Sequence, residues 1–245
     1  MSAPTYVTYF MLLSSIGIIA AALAGLRVAV ADWEQSQRAA TLRTATVLLL
    51  LWFAAAVALS YAGAFRGTPS SQPTIEFGIF VPLLIGVVWL WRSATAKRLL
   101  DAVPQSWLVG LQFYRVLGAI FLLMYAQGRM PAAFALPAGA GDVAVGLLAP
   151  IVAAAYARGV AGREFLVVGW NLLGLLDLAS AITTGFLTSP SPLQVLSLDA
   201  PNQLISEYPL VLVPVFGVPL AVLLHVASLV KLGRDAVRRP VLKGA

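Results

Sequence analysis

ATVLLLLWFAAAVALSYAG, residues 45–63, runs nineteen positions without a charged side chain. As a helix it is about 28 Å long, the thickness of a bilayer's hydrocarbon core. Water would meet no charge along this surface, whereas in lipid a helix satisfies all of its own backbone groups. Comparable runs, bounded by charges or by Pro, Gly and Ser, lie near 6–30, 42–64, 75–92, 106–126, 142–157, 164–186 and 209–230. The sequence therefore predicts an all-α integral membrane protein: a seven-transmembrane-helix bundle forming one domain over 1–245, with a basic tail at 231–245.

Composition points the same way. Hydrophobic residues make up 60% of the 245 positions and charged residues 11%, with a mean hydropathy of +0.89; a soluble domain carries roughly a quarter charged residues. No positive charge precedes the run from Tyr6 to Val30, which is too long for the core of a cleaved signal, so it reads as the first span. The net charge of +6 sits at helix ends without interleaved aromatic residues. That pattern fits anionic lipid headgroups at the cytoplasmic face and argues against nucleic acid.

Thirteen of the sixteen basic residues fall in the first, third and fifth connections and the C-terminal tail. The other side holds Arg66 and Arg129, and Arg115 lies inside a span. The positive-inside rule then places the N-terminus outside and the C-terminus in the cytoplasm, as in a bacterial-type inner (plasma) membrane. Trp89, Trp91 and Trp107 fall at the inner interface, and Tyr6, Tyr9, Tyr61, Tyr125 and Tyr208 at the outer one. Gly17, Ala21 and Gly25 form a small-residue ridge suited to close helix packing.

Two outer connections stand out. Pro131 to Gly141 is apolar but interrupted by Pro and Gly, and reads as a re-entrant segment or a loop lying on the bundle. In the long stretch from Thr188 to Tyr208, Asp199 is placed to cap a short amphipathic helix through Leu204 and Ile205, a candidate lid.

Short matches also suggest an internal duplication. Ile16–Ala20 resembles Val145–Ala149, Phe65–Ser70 resembles Phe186–Ser191, and Glu76–Pro82 resembles Glu207–Pro214. Two three-span units point the same way only if one helix separates them, which makes the fourth span the separator in a 3+1+3 parallel repeat. The plan resembles that of the sugar-transporting SWEET and PQ-loop family. Pro104-Gln105 is a single Pro-Gln pair, at the start of the middle helix and not within the repeated units, so no family follows from it.

Charged side chains cost roughly 2.5–3.5 kcal/mol at the bilayer centre, so those present normally face a partner inside the bundle. Arg115 is near the middle of the fourth span, with Gln112 one turn away on the same face. Asp177 and Asn171 flank the middle of the sixth span, and Asp142 opens the fifth, where it also suits an N-cap. Arg115 is expected to pair with Asp177 or Asp142, and these five residues are the candidate substrate or proton site. His225, within reach of Asn171, and Glu76 and Glu207, which open the third and seventh spans, are secondary candidates. Pro209, Pro214 and Pro219 make the seventh span liable to kink and free its carbonyls.

Several chemistries are excluded. The three lysines lie at or beyond helix ends, so a retinal Schiff base has no partner. With no cysteine and one histidine, disulfides, iron–sulfur clusters, bis-histidine haem and common zinc or copper sites fail, and no cofactor is expected. Walker and GxSxG motifs are absent. The leading expectation is a small-solute or proton-linked transporter with a midplane polar site that takes a small polar or anionic solute. The alternatives are a non-transporting membrane subunit or sensor whose ion pairs are structural, and a membrane-embedded enzyme acting on a lipid-soluble substrate through Asp142, Asp177 or His225.

Overall fold

The computed structural model describes residues 3–68, 70 and 74–243, with side chains through Val237. Among these residues all regular structure is helical. The helices are α1 (Thr5–Ala29), α2 (Gln35–Tyr61), α3 (Ile75–Arg92), the short α4 (Ala94–Ala102), α5 (Gln105–Ala126), α6 (Ala132–Ala157) and α7 (Arg163–Thr188). The last, α8, opens with a π-helical turn, Val213–Gly217, and continues as Val218–Lys243. Seven of these are long and apolar enough to cross a membrane, the pattern of a multi-pass membrane protein. Many large apolar side chains, such as Leu51, Leu84, Ile151, Phe165 and Leu176, point outward, where a soluble protein would show charge.

Side-chain bonds at the two ends tie the spans to one another. Tyr6 bonds Gln127 at one end of the bundle, and Arg98 bonds Gln37 and Arg234 bonds Asp101 at the other, where the basic residues collect. The densest packing joins α5, α6 and α7, with α8 laid against α3, α5 and α7. Helices α1 and α2 attach more lightly. α2 packs along α1 and reaches α8 through Trp52 and Phe53, whose rings sit 4.8 and 5.3 Å from that of Phe216.

Glu34 caps α2, accepting from the Ser36 hydroxyl and from the amides of Ser36 (3.0 Å) and Gln37 (3.3 Å). The hydroxyl bond first, then the Ser36 amide, holds its carboxyl below the usual value of 4.5. A lowered folded value means that this cap stabilises the helix above the ordinary glutamate range and is lost as pH falls through the folded value. Protection of the Ser36 and Gln37 amides against hydrogen exchange should therefore fall as pH drops below about 4.5. The Glu34→Gln protein should show no such step.

The structure corrects several expectations. Pro131 to Gly141 is neither re-entrant nor a loop: from Ala132 it forms the first turns of α6, with Pro131 just before the helix and Pro137 inside it. Asp142 is therefore ten residues within the helix and cannot cap it. Asp199 caps nothing, and Leu204 and Ile205 belong to a single 3₁₀ turn, Leu204–Ser206, with no side-chain cap. Of the two glycines in the small-residue ridge, Gly25 packs against the Trp107 ring, whereas Gly17 faces open space. The basic tail continues α8 to Lys243. Lys231 is buried and donates to the Leu100 carbonyl (2.8 Å), and Arg234 grips both Asp101 oxygens at 3.0 Å, so these two charges dock on α4 instead of reaching outward. The side chains of Arg238, Arg239 and Lys243 lie outside the described residues.

Candidate functional site

The central segment of α5 departs from α-helical geometry. Gln105–Gly110 and Ala119–Ala126 are α-helical, but Leu111–Gly118 between them winds as a 3₁₀-helix. Runs of that kind rarely exceed three or four residues, and inside a longer helix they often mark a functional segment. Arg115 lies within it and is 3% exposed.

Arg115 is held on every nitrogen. Its Nε donates to Asp142 Oδ1 on α6 (2.8 Å) and its Nη2 to Asp177 Oδ2 on α7. Nη1 faces the Gly174 carbonyl (3.4 Å) and His225 Nε2 on α8 (3.2 Å). A guanidinium only donates, so His225 Nε2 accepts and the imidazole is the neutral tautomer protonated at Nδ1. That proton points at Asn171 Oδ1, 2.9 Å away. The Asn171 amide donates to the Val167 carbonyl (2.8 Å) and to Ser228 Oγ (2.9 Å), which also accepts from Gln105 Nε2 (2.6 Å). A buried chain of polar side chains thus runs from the basic end of α5 to the ion cluster.

This chain is a poor proton wire. Two of its members are carboxamides and a third is a guanidinium that stays charged. It locks α5, α7 and α8 together.

Close backbone approach makes room for the cluster. A Cβ on Gly174 would overlap the His225 ring, one on Gly141 the Asp177 carboxylate, and one on Gly118 that of Asp142. Trp170, anchored by its Nε1 to the Val145 carbonyl (3.1 Å), lies 4.8 Å from the His225 ring centre and covers it.

Gln112 is fully buried on the same segment but donates to the Ala221 carbonyl of α8 (3.1 Å), with its Oε1 left unpaired. Tyr114 likewise donates to the Gly217 carbonyl at the end of the π turn (3.2 Å). Side chains of α5 thus take carbonyls beside the distorted start of α8. Glu76 stays in the first turn of α3, and Glu207 pairs with Arg66 at 3.7 Å near the far end; neither joins the cluster. Sequence reasoning missed Ser228, Gln105, Trp170 and Tyr114 as parts of the network. A signal for Ser228 was present: it lies three residues beyond His225, on the same helical face.

Two cavities of about 60 Å³ each meet at Asp142, and each has room for a few water molecules. One reaches toward the far-end loops at Ser191 and Ser206 between Phe65, Phe121, Phe134 and Phe186, and Asp142 is its only charged wall residue among those described. The other lies between α1, α5 and α8 and is walled by Ser14, Tyr114, Arg115 and Asp142.

Among the described residues no group of histidine and carboxylate side chains is arranged to hold a metal ion. Comparison with known proteins gives one match: a family model described as a domain of unknown function, DUF8737, covers residues 72–233. No curated protein and no solved structure matches the chain. The matched stretch contains Arg115, Asp142, Asn171, Asp177 and His225 and leaves out α1 and α2. With well over half of its length matched, the chain belongs to the DUF8737 family.

Proposed function

We propose that this protein is a small-solute transporter linked to proton movement, with Arg115, Asp142 and Asp177 as its midplane site. The observation that carries the reading is a charge imbalance beside a cavity. One guanidinium faces two carboxylates, and Asp142 lies where two internal cavities meet. The excess is one negative charge, which a proton or a cationic solute can balance. Four of the five Arg115 N–H bonds already have partners and the net charge is negative, so in place of the anionic solute anticipated from sequence the geometry favours a neutral or positively charged one.

In this reading the cavity leading to the far-end loops is the outer entrance and the polar chain from His225 to Gln105 closes the inner side. The excess of Lys and Arg at that end supports a cytoplasmic C-terminus in an inner (plasma) membrane, facing anionic headgroups. The short matches between the two halves support two three-span units, α1–α3 and α6–α8, about α5.

A second reading, a non-transporting subunit in which the cluster only fixes helix register, is favoured by the engagement of all three guanidinium nitrogens with partners on α6, α7 and α8. The two separate in proteoliposomes under an imposed pH gradient, using labelled small amines, amino acids and sugars. Transport predicts uptake above that of protein-free vesicles, reduced at least about tenfold by Asp142→Asn or Asp177→Asn. Uptake indifferent to both substitutions would leave the structural reading standing.

A further inference from the structure

We infer that the midplane site takes a lipophilic amine, a monocation with an apolar tail, that enters sideways from the bilayer between α1 and α5. The inference rests on the reading of Asp142 as part of a binding site and adds a substrate class and a route.

A groove of about 630 Å³ opens between the two helices, with Gly17 and Ala21 of α1 on one side and Trp107, Gly110 and Phe113 of α5 on the other. It is roomy because the small residues do not pack: nothing lies within 4 Å of where a Gly17 Cβ would be. Its residues run from the middle of α1 to the first half of α5, two helices long and apolar enough to cross a membrane, so a bilayer around them would bring acyl chains to its mouth. The groove shares Ser14, Ile18, Tyr114 and Leu117 with the inner cavity at Arg115 and Asp142. That cavity in turn shares Asp142, Leu178, Val213 and Val218 with the one that leads to the far-end loops.

Size and charge select the ligand. The space at Asp142 holds only a small head, whereas the groove accommodates a tail of many carbons. The cluster's unbalanced charge is negative, so the head is an ammonium. Asp142 is the one carboxylate on the outer cavity's walls among the described residues, and with the hydroxyls of Ser189, Ser191 and Ser206 it makes too sparse a set to replace the roughly six oxygens around a hard inorganic cation. Phe121 and Phe134 on the far side of Asp142 offer ring faces to an ammonium moving outward.

The test uses the full chain in lipid nanodiscs and radiolabelled n-octylammonium, with empty nanodiscs subtracted and methylammonium as the tail-less probe. Octylammonium should bind at least about tenfold tighter than methylammonium, and octanoate should not compete. Asp142→Asn should weaken both amines. Gly17→Leu, which fills the groove without touching the cluster, should weaken octylammonium at least about tenfold and leave methylammonium unchanged; Ala21→Phe is the second variant should the first misfold. Octylammonium binding that needs Asp142 but ignores both groove substitutions overturns the sideways route and leaves the midplane site in place. If neither amine binds while solute uptake still depends on Asp142, the substrate class is wrong and the transport reading survives. If uptake and amine binding both ignore Asp142, the two fail together.

Discussion

Arg115→Ala is expected to be the most damaging single substitution in the bundle, lowering stability by about 3–5 kcal/mol. The guanidinium is 3% exposed and pairs with two carboxylates that reach it from different helices. Removing it leaves Asp142 and Asp177 facing each other with no counter-charge and strips His225 Nε2 of its donor. The cost should appear as a lower denaturation midpoint in detergent or bicelles. Much of it should return when Asp142→Asn and Asp177→Asn are added to the same chain, because the triple variant buries no net charge. An Arg115→Ala protein that melts like the parent would mean that water already hydrates both carboxylates, and the account of the core given above would be wrong.

Gly174→Ala is the second large effect, expected at about 1–3 kcal/mol. One methyl group would be a trivial change on most membrane helices. Here it would overlap the Cε1 and Nε2 edge of the imidazole, which is held from behind by Asn171 and covered by Trp170. The ring has nowhere to swing without breaking its contact with Arg115. In a double-mutant cycle with His225→Ala the methyl should cost much less, because the space it needs has been vacated. Equal costs with and without the imidazole would locate the damage elsewhere.

The spans were legible because hydrophobic length is a property of composition, read directly from runs such as 45–63. The start of α6 was not. In Pro131 to Gly141 the prolines and glycines read as breaks, yet Pro131 precedes the helix, where a missing N–H costs nothing, and Pro137 falls near its start. Gly139 and Gly141 are small because Leu122 and Asp177 press on them, not because the chain turns. Glycine serves both purposes, and a single sequence does not say which. Misplacing the start of α6 also misplaced Asp142, moving it from mid-helix to a cap.

The site was half visible for a similar reason. Depth along each span brought Arg115 and Asp177 close to one level, because 1.5 Å per residue is a good ruler for α-helices, whereas Asp142 was named as a partner from the start of its span. Asn171 was read into the same site and His225 as a secondary candidate within reach of Asn171, but the contact between His225 and Arg115 was not foreseen. The structure joins the two groups through Nη1 of Arg115, on a segment whose 3₁₀ winding no residue pattern announced.

That winding has a mechanical side. A 3₁₀-helix rises about 2.0 Å and turns about 120° per residue, against about 1.5 Å and 100° in an α-helix. Were Leu111–Gly118 to relax to α-helix, the segment would shorten by about 4 Å and its two ends would rotate against each other by about 160°. Arg115, Gln112 and Tyr114 all ride on it, each fastened to a different helix or helix turn. The middle of α5 is thus geared like a screw, with a stroke and a torque delivered at the depth where the charges sit.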